Sequence, residues 1–204
     1  MLLSCKLDKA ETPQPQITNR VTIDGYDYHT AKIGTQTWTT VNYKGSGGTT
    51  YTLNGESVVG PQTYYTYNQA LAIALPTGWR LPTRADYNKL LQFIGGTTDA
   101  YGDGTATGTI AGKLVASSWS YAYGDNSTGF SAAATGFINS IGPVNQGVDV
   151  ACAYWTSTSQ TTNVMSYSFG INNYVVNGTR QPLTAYIDYN RVADQLSLRF
   201  VKDN

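Results

Sequence analysis

Residues 75–91, LPTGWRLPTRADYNKLL, carry the strongest local structural signal in the chain. Thr83 can cap a helix with its side-chain oxygen, and Asp86 follows in the first turn, where the helix dipole favours a carboxylate. Apolar residues then recur at helical spacing on one face: Tyr87, Leu90, Leu91, Ile94. Gly95 and Gly96 supply the residues that commonly end a helix. The segment therefore predicts a capped amphipathic helix from Thr83 to Ile94.

A second helix is predicted immediately before it, in TYNQALAIAL at 66–75. Thr66 and Gln69 have the spacing of a capping box, in which each side chain accepts from the other residue's backbone N–H. Pro76 ends this helix because proline cannot continue the hydrogen-bond ladder. The two prolines around GWRL keep the connection extended, which places Trp79 and Leu81 in the core.

Strand signals lie on both sides of these helices. Residues 21–33 alternate in polarity around Asp24-Gly25, a pattern typical of a hairpin. The segment 44–61 reads as a loop with at most a short strand, and 97–128 is rich in Gly, Thr, Ser and Asp with interspersed aromatic residues. Short strand-like runs follow, and the last is QLSLRFVKD at 195–203. Because strand and helix signals are segregated, the predicted fold class is α+β with an antiparallel sheet.

Composition restricts the classes of function. The chain has 204 residues, 41% hydrophobic and 13% charged, with a formal net charge of zero. It contains no cluster of Lys and Arg, so a nucleic-acid partner is not predicted. With one His and two Cys, the sequence predicts no disulfide framework, no cofactor and no metal centre. No run of eighteen apolar residues occurs that would predict a membrane-spanning helix.

The first residues, MLLSC, resemble the end of a bacterial lipoprotein signal, in which the cysteine thiol is acylated. Cys5 is therefore the predicted lipidation site. The following KLDKAETPQPQITN suits a flexible tether, so residues 1–19 are predicted to be a tail and linker, and residues 20–204 one domain. The alternative interpretation of MLLSC is a cytosolic tail with an unmodified cysteine.

Six motifs in fixed order carry a family resemblance: DGYDYHTAKIGTQTWTTVNY, PTGWRLPTRADYNKLL, AGKL, TGFSAAATGFIN, AYWTSTS and LSLRFVKD. This order is similar to the Fibrobacter succinogenes major paralogous domain, a family of repeated extracellular domains and lipoprotein domains of Bacteroidota and their relatives. The resemblance covers Val21 to Asp203. It implies a C-type-lectin-like fold, with two helices packed on a small twisted antiparallel sheet that carries long loops.

Two positions depart from that family pattern. Family members commonly carry one Cys just before the PTGW-like segment and another in the last strand, where this chain has Leu75 and Phe200. An apolar pair can fill the space of a disulfide, whereas a lone remaining thiol would be reactive. The exchange predicts that Leu75 and Phe200 pack against each other.

No catalytic residue is predicted. The formylglycine-generating enzymes share a related fold, but they need paired reactive cysteines and Cys152 stands alone. His29 has no Ser or Cys nucleophile motif beside it. The stretch DAYGDGTATGTI lacks the acidic spacing of an EF-hand. A weak calcium site at Asp99, Asp103 or Asp125 remains the alternative to no metal.

The predicted ligand-binding surface is SSWSYAYGDNSTGF at 117–130. In an extended loop its three aromatic residues point the same way, beside a carboxylate and an amide; the five predicted contacts are Trp119, Tyr121, Tyr123, Asp125 and Asn126. Planar rings beside such groups suit stacking on a sugar or gripping a peptide. The alternative is a buried Trp119 with tyrosines that pack on an edge strand.

These features together predict a non-enzymatic extracellular or cell-surface module that recognises a glycan or a surface protein through loops on a rigid scaffold. The predicted location is the cell envelope, as an outer-membrane or surface lipoprotein that meets the membrane only through a lipid on Cys5. The alternatives are a structural or adhesive surface component and an enzyme related to the formylglycine-generating group.

Overall fold

The structure is a computed structural model that describes residues 19–56, 58–119, 124–142, 145–161 and 164–204. Within these ranges the chain forms fifteen strands and three short helices. The strands are β1 (Asn19–Ile23), β2 (Tyr26–Ile33), β3 (Gln36–Thr39), β4 (Thr49–Asn54), β5 (Val59–Tyr64), β6 (Thr97–Thr98), β7 (Gly104–Thr107), β8 (Thr135–Ile138), β9 (Asn145–Val148), β10 (Ala151–Thr161), β11 (Met165–Asn172), β12 (Val175–Val176), β13 (Thr179–Arg180), β14 (Thr184–Arg191) and β15 (Val201–Asp203). The helices are α1 (Tyr67–Leu71), α2 (Arg84–Ile94) and α3 (Thr109–Gly112).

The described strands form two main sheets and two ribbons. A four-stranded sheet has the order β1-β2-β3-β15, and a seven-stranded sheet has the order β6-β7-β14-β11-β10-β8-β9. The pairs β4–β5 and β12–β13 form separate ribbons. The strand β15 pairs antiparallel with β3, so the C-terminal end of the chain closes against the N-terminal hairpin.

The predicted hairpin and the predicted helix at Thr83 to Ile94 are confirmed. The helix predicted at 66–75 begins as expected but ends at Leu71, short of Pro76. Thr83 caps α2 by accepting the backbone N–H of Asp86, and Gly95 ends the helix in the left-handed conformation, with φ 96°. The Thr66 side chain and Gln69 form the predicted capping box of α1. Asp24 has φ 52°, and the glycine after it also has a positive φ, as a tight hairpin turn between β1 and β2 requires.

Two apolar clusters fill the interior. The first lies beneath α2, where Tyr87 stacks on Phe169 of β11 with ring centroids 4.4 Å apart. The second surrounds Trp155 and Phe200. Phe200 is a fully buried member of that second cluster, and Leu75 is partly buried against the same cluster. The direct contact between Leu75 and Phe200 stays a prediction.

The predicted fold class was wrong. The chain is mostly β, with 47% of the described residues in strands and 11% in helices, and its several sheets give a β-sandwich-like fold rather than two helices on a small sheet. The segment predicted as a loop at 44–61 contains the β4–β5 ribbon, and 97–128 contains β6, β7 and α3. Caps and apolar stripes are short-range signals, so they made the helices conspicuous. The Thr- and Tyr-rich strands depend on distant partners, so the sequence predicted less strand than the structure contains.

Candidate functional site

A cleft of about 420 Å³ opens beside the start of α2, at one side of the seven-stranded sheet. We call it the tyrosine cleft, and it is lined by Arg84, Asp99, Tyr101, Asp103, Gln160, Tyr167, Ile187, Asp188 and Tyr189. The lining comes from the first residue of α2, the turn between β6 and β7, the end of β10, and the neighbouring strands β11 and β14. Elements far apart in sequence therefore build one concave surface.

Tyrosine rings dominate this lining. Tyr167 on β11 lies directly opposite Tyr189 on β14 in the antiparallel register, so both side chains leave the same face of the sheet. Tyr189 is 52% exposed and Tyr101, in the β6–β7 turn, is 84% exposed. Large aromatic side chains at this exposure offer ring faces to a ligand.

Arg84 holds the cleft together. Its Nε donates to Asp103 at 2.6 Å and its Nη2 donates to the carbonyl oxygen of Tyr101 at 3.0 Å. Its guanidinium carbon lies 4.6 Å from the centroid of the Tyr167 ring. The hydrogen bond to Asp103 raises the pKa of Arg84 above its ordinary value. Arg84, the residue after the Thr83 cap, therefore holds the β6–β7 turn against Tyr167 of the seven-stranded sheet.

The edge of β14 contributes polar groups. In the described chain, β14 pairs with β7 only as far as Tyr186. The carbonyl oxygen of Ala185 accepts the Thr105 hydroxyl on the β7 side, and alternate residues of a strand turn their backbone groups to the same side. The N–H of Tyr189 therefore faces that open edge, where the Asp188 carboxylate accepts it at 2.8 Å. The Asp188 carboxylate accordingly lies on the cleft side of the strand.

A larger cleft of about 500 Å³ lies between the first hairpin, β5 and the residues Ala116, Ser131 and Ala133. Its two aromatic rings, Tyr28 and Tyr43, are 1% and 2% exposed, so they present no ring face to a ligand. Its polar floor includes Arg199, which is fully buried and donates to the carbonyl oxygens of Thr39 and Phe130. These contacts hold neighbouring elements of the fold together, so the residues of this larger cleft serve packing. The tyrosine cleft is therefore the better candidate for a ligand site.

A family model described as the Fibrobacter succinogenes major domain matches residues 31–202. The chain belongs to this family. The match encloses every residue that lines the tyrosine cleft. Comparison with curated proteins and comparison with solved structures find no match. In the described part of this major domain, no helix is long and apolar enough to cross a membrane.

The predicted aromatic loop of the major domain is only partly described. Trp119 is 3% exposed and belongs to the first apolar cluster, so its ring packs in the core and offers no face to a ligand. Tyr121 and Tyr123 lie outside the described residues. A ligand site at Tyr121 and Tyr123 therefore stays a prediction.

Asp125 and Asn126 of the same loop have local partners. Asp125 is exposed and accepts the backbone N–H of Ser127 at 2.9 Å. The Asn126 amide donates to the Ser131 hydroxyl at 2.8 Å and accepts the Ser131 N–H at 2.9 Å. Asn126 also has φ 49°. Both ends of its amide thus stabilise the chain reversal before β8.

His29 and Cys152 lie outside the tyrosine cleft. His29 is exposed on β2. Cys152 is buried, and burial raises the pKa of its thiol to about 12, so the thiol is protonated at neutral pH. Among the described residues, no three His, Cys, Asp or Glu side chains form a group that could hold a metal ion. Cys5 lies outside the described residues.

Sequence reasoning found the acidic turn of the cleft but missed its tyrosines. The sequence offers Asp99 and Asp103 as alternative calcium ligands, and Tyr101 lies between them. Tyr167 and Tyr189 are far from that turn in sequence and become neighbours only through the register of β11 and β14. The sequence signal for this site is a tyrosine at an alternating position in each of two strand-like runs. Because the chain has sixteen tyrosines, this signal does not stand out.

Proposed function

We propose that this major domain is a non-enzymatic binding module of the cell surface that holds a carbohydrate chain in the tyrosine cleft. The proposal rests on one observation: Tyr101, Tyr167 and Tyr189 line the same concave site as several carboxylate groups and an amide group. Ring faces pack against the C–H faces of a sugar, and the polar groups bond its hydroxyls. This combination distinguishes a sugar site from a flat adhesive face.

The chemistry of the cleft supports binding without catalysis. Arg84 is held by Asp103, and the Asp99 carboxylate accepts the backbone N–H groups of Tyr101 and Asp103, each at 2.8 Å. These groups stabilise the shape of the site. The one cysteine in the described residues, Cys152, is buried and protonated, which also disfavours the enzyme alternative related to the formylglycine-generating group.

Replacing Tyr189 with alanine tests this proposal. We expect selective binding to one class of oligosaccharide on a glycan array, and we expect Tyr189→Ala to weaken it roughly tenfold because an exposed stacking face is lost. Tyr26→Ala is the matched control, since Tyr26 is 44% exposed on β2 and outside the cleft. If no glycan binds and a pull-down recovers a surface protein, the adhesive alternative stands and the carbohydrate proposal fails.

We propose that a lipid on Cys5 holds the domain on the cell envelope. Metabolic labelling with a palmitate analogue in the native host is expected to tag the protein and to fail for Cys5→Ala. The Cys152→Ala variant is the control, because a buried, protonated thiol is a poor acyl acceptor. Equal labelling of the Cys5→Ala variant and the parent protein would refute the anchor.

A further inference from the structure

We infer that the tyrosine cleft selects an amino sugar, whose ammonium group it holds between tyrosine rings and carboxylates, over neutral and acidic sugars. This inference rests on the proposed carbohydrate function and specifies the charge of the ligand.

The charges that line the cleft are unbalanced. Asp99, Asp103 and Asp188 contribute three carboxylates against the single guanidinium of Arg84, which leaves two negative charges in a chain whose formal net charge is zero. Asp103 is paired with Arg84. Over the described residues, Asp99 and Asp188 have no ion-pair partner, and the second oxygen of each carboxylate accepts no hydrogen bond. An acidic sugar would meet repulsion here, whereas a cation would be attracted.

The cleft already holds one cation by this chemistry. The Arg84 guanidinium lies over the Tyr167 ring at 4.6 Å while its Nε donates to Asp103 at 2.6 Å. A ring face and a carboxylate together are the recurrent environment of a bound cation. This contact shows that the local geometry places a positive group on a tyrosine face and a carboxylate at the same time.

Elsewhere among the described residues of the cleft, exposed tyrosine rings and carboxylates without an ion-pair partner line the same concave surface. Tyr189 is 52% exposed, and Asp188 precedes it on the open edge of β14. Tyr101 is 84% exposed, and its own N–H donates to Asp99. The described residues contain no group of three side chains able to hold a metal ion. An ammonium group needs only hydrogen-bond acceptors and a ring face, so it fits this arrangement of separated carboxylates.

Calorimetric titration with three tetrasaccharides tests the inference: fully deacetylated glucosamine tetramer, N-acetylglucosamine tetramer and galacturonic acid tetramer. The first two share one sugar backbone and differ in the nitrogen, which is an ammonium group in the first and a neutral acetamide in the second. We expect the glucosamine tetramer to bind roughly tenfold more tightly than its acetylated form, and the uronic tetramer to bind more weakly than either. Added salt should reduce the preference for the glucosamine tetramer over its acetylated form, because salt screens the attraction between ammonium groups and carboxylates.

Asp188→Asn is the informative variant, since an asparagine can still accept the Tyr189 N–H while the charge is removed. The Asp188→Asn variant should bind the glucosamine tetramer only roughly threefold more tightly than the acetylated tetramer. Asp27→Asn is the matched control, because Asp27 is exposed on β2, accepts the Thr22 hydroxyl and lies outside the cleft.

The outcomes separate the two proposals. Equal or tighter binding of the acetylated tetramer, or an unchanged ratio in Asp188→Asn, would overturn the charge selectivity and leave the carbohydrate function in place. Calcium chloride that displaces the glucosamine tetramer at the same ionic strength would assign the carboxylates to a metal and also overturn the inference. Absence of binding by these tetramers and by every glycan on the array would overturn both proposals.

Discussion

Phe200→Ala is expected to lower the free energy of unfolding by about 3–5 kcal/mol, the usual cost of removing a buried phenylalanine ring. Phe200 has no exposed surface, and its ring meets Tyr43 edge-on with centroids 5.2 Å apart. Its backbone N–H also donates to the Thr39 hydroxyl at 3.0 Å, which ties the segment to β3 and opposes a shift that would close the cavity. Urea unfolding followed by tryptophan fluorescence measures the change.

Phe93→Ala provides the control for the same chemical change at a different burial. Phe93 lies on α2 and is 59% exposed, so its truncation should change stability by less than about 1 kcal/mol. Similar losses for the two variants would show that Phe200 is not in a packed interior, and would contradict the second apolar cluster as the structure has it.

Asp86→Asn is expected to cost about 2–3 kcal/mol at neutral pH, because a buried carboxylate with several donors is replaced by an amide. Asp86 is 2% exposed and accepts hydrogen bonds from Arg80, the Thr83 backbone and Gln36. These bonds connect α2 to β3. The Arg80 side chain is 36% exposed, so water screens part of the ion pair and keeps the expected loss below that of a fully buried pair.

The same carboxylate predicts a pH dependence. Burial alone would raise the pKa of Asp86, but the hydrogen bonds from Arg80, Thr83 and Gln36 outweigh burial and lower it from 3.8 to about 2. Since the folded-state pKa is below the unfolded one, the stabilisation is complete above pH 3.8 and is lost as the pH falls through about 2. The stability difference between the parent protein and Asp86→Asn should therefore shrink over that interval. A constant difference would exclude Asp86 as the group responsible.

The sequence predicted the local elements of this fold well. Thr66, Thr83 and Gly95 were recognised because caps act over three or four residues, and the Asp24-Gly25 turn was recognised because few residues accept its conformation. The seven-stranded sheet was not predicted. Its order places β14 between β7 and β11, and β10 between β11 and β8, and pairings over such distances leave no periodic signal in a single sequence.

The candidate site shows the same division between local and distant information. The acidic turn at Asp99 and Asp103 could be found because its residues are adjacent. The interpretation of Trp119 as a ligand contact came from spacing alone, and burial in the first apolar cluster places its ring in the core. Tyr167 and Tyr189 acquire their common face only through strand register. A single sequence can therefore suggest which residue types bind, while the fold decides which of them meet.

The most direct test of the tyrosine cleft is a map of backbone amide chemical shifts during titration with the oligosaccharide that binds best on the array. The predicted result is that the largest changes fall on Tyr101, Tyr167, Asp188 and Tyr189, with little change at Asp125 and Asn126. Changes concentrated instead on residues 117–130, or spread over a flat face away from β11 and β14, would contradict the carbohydrate site proposed for this domain.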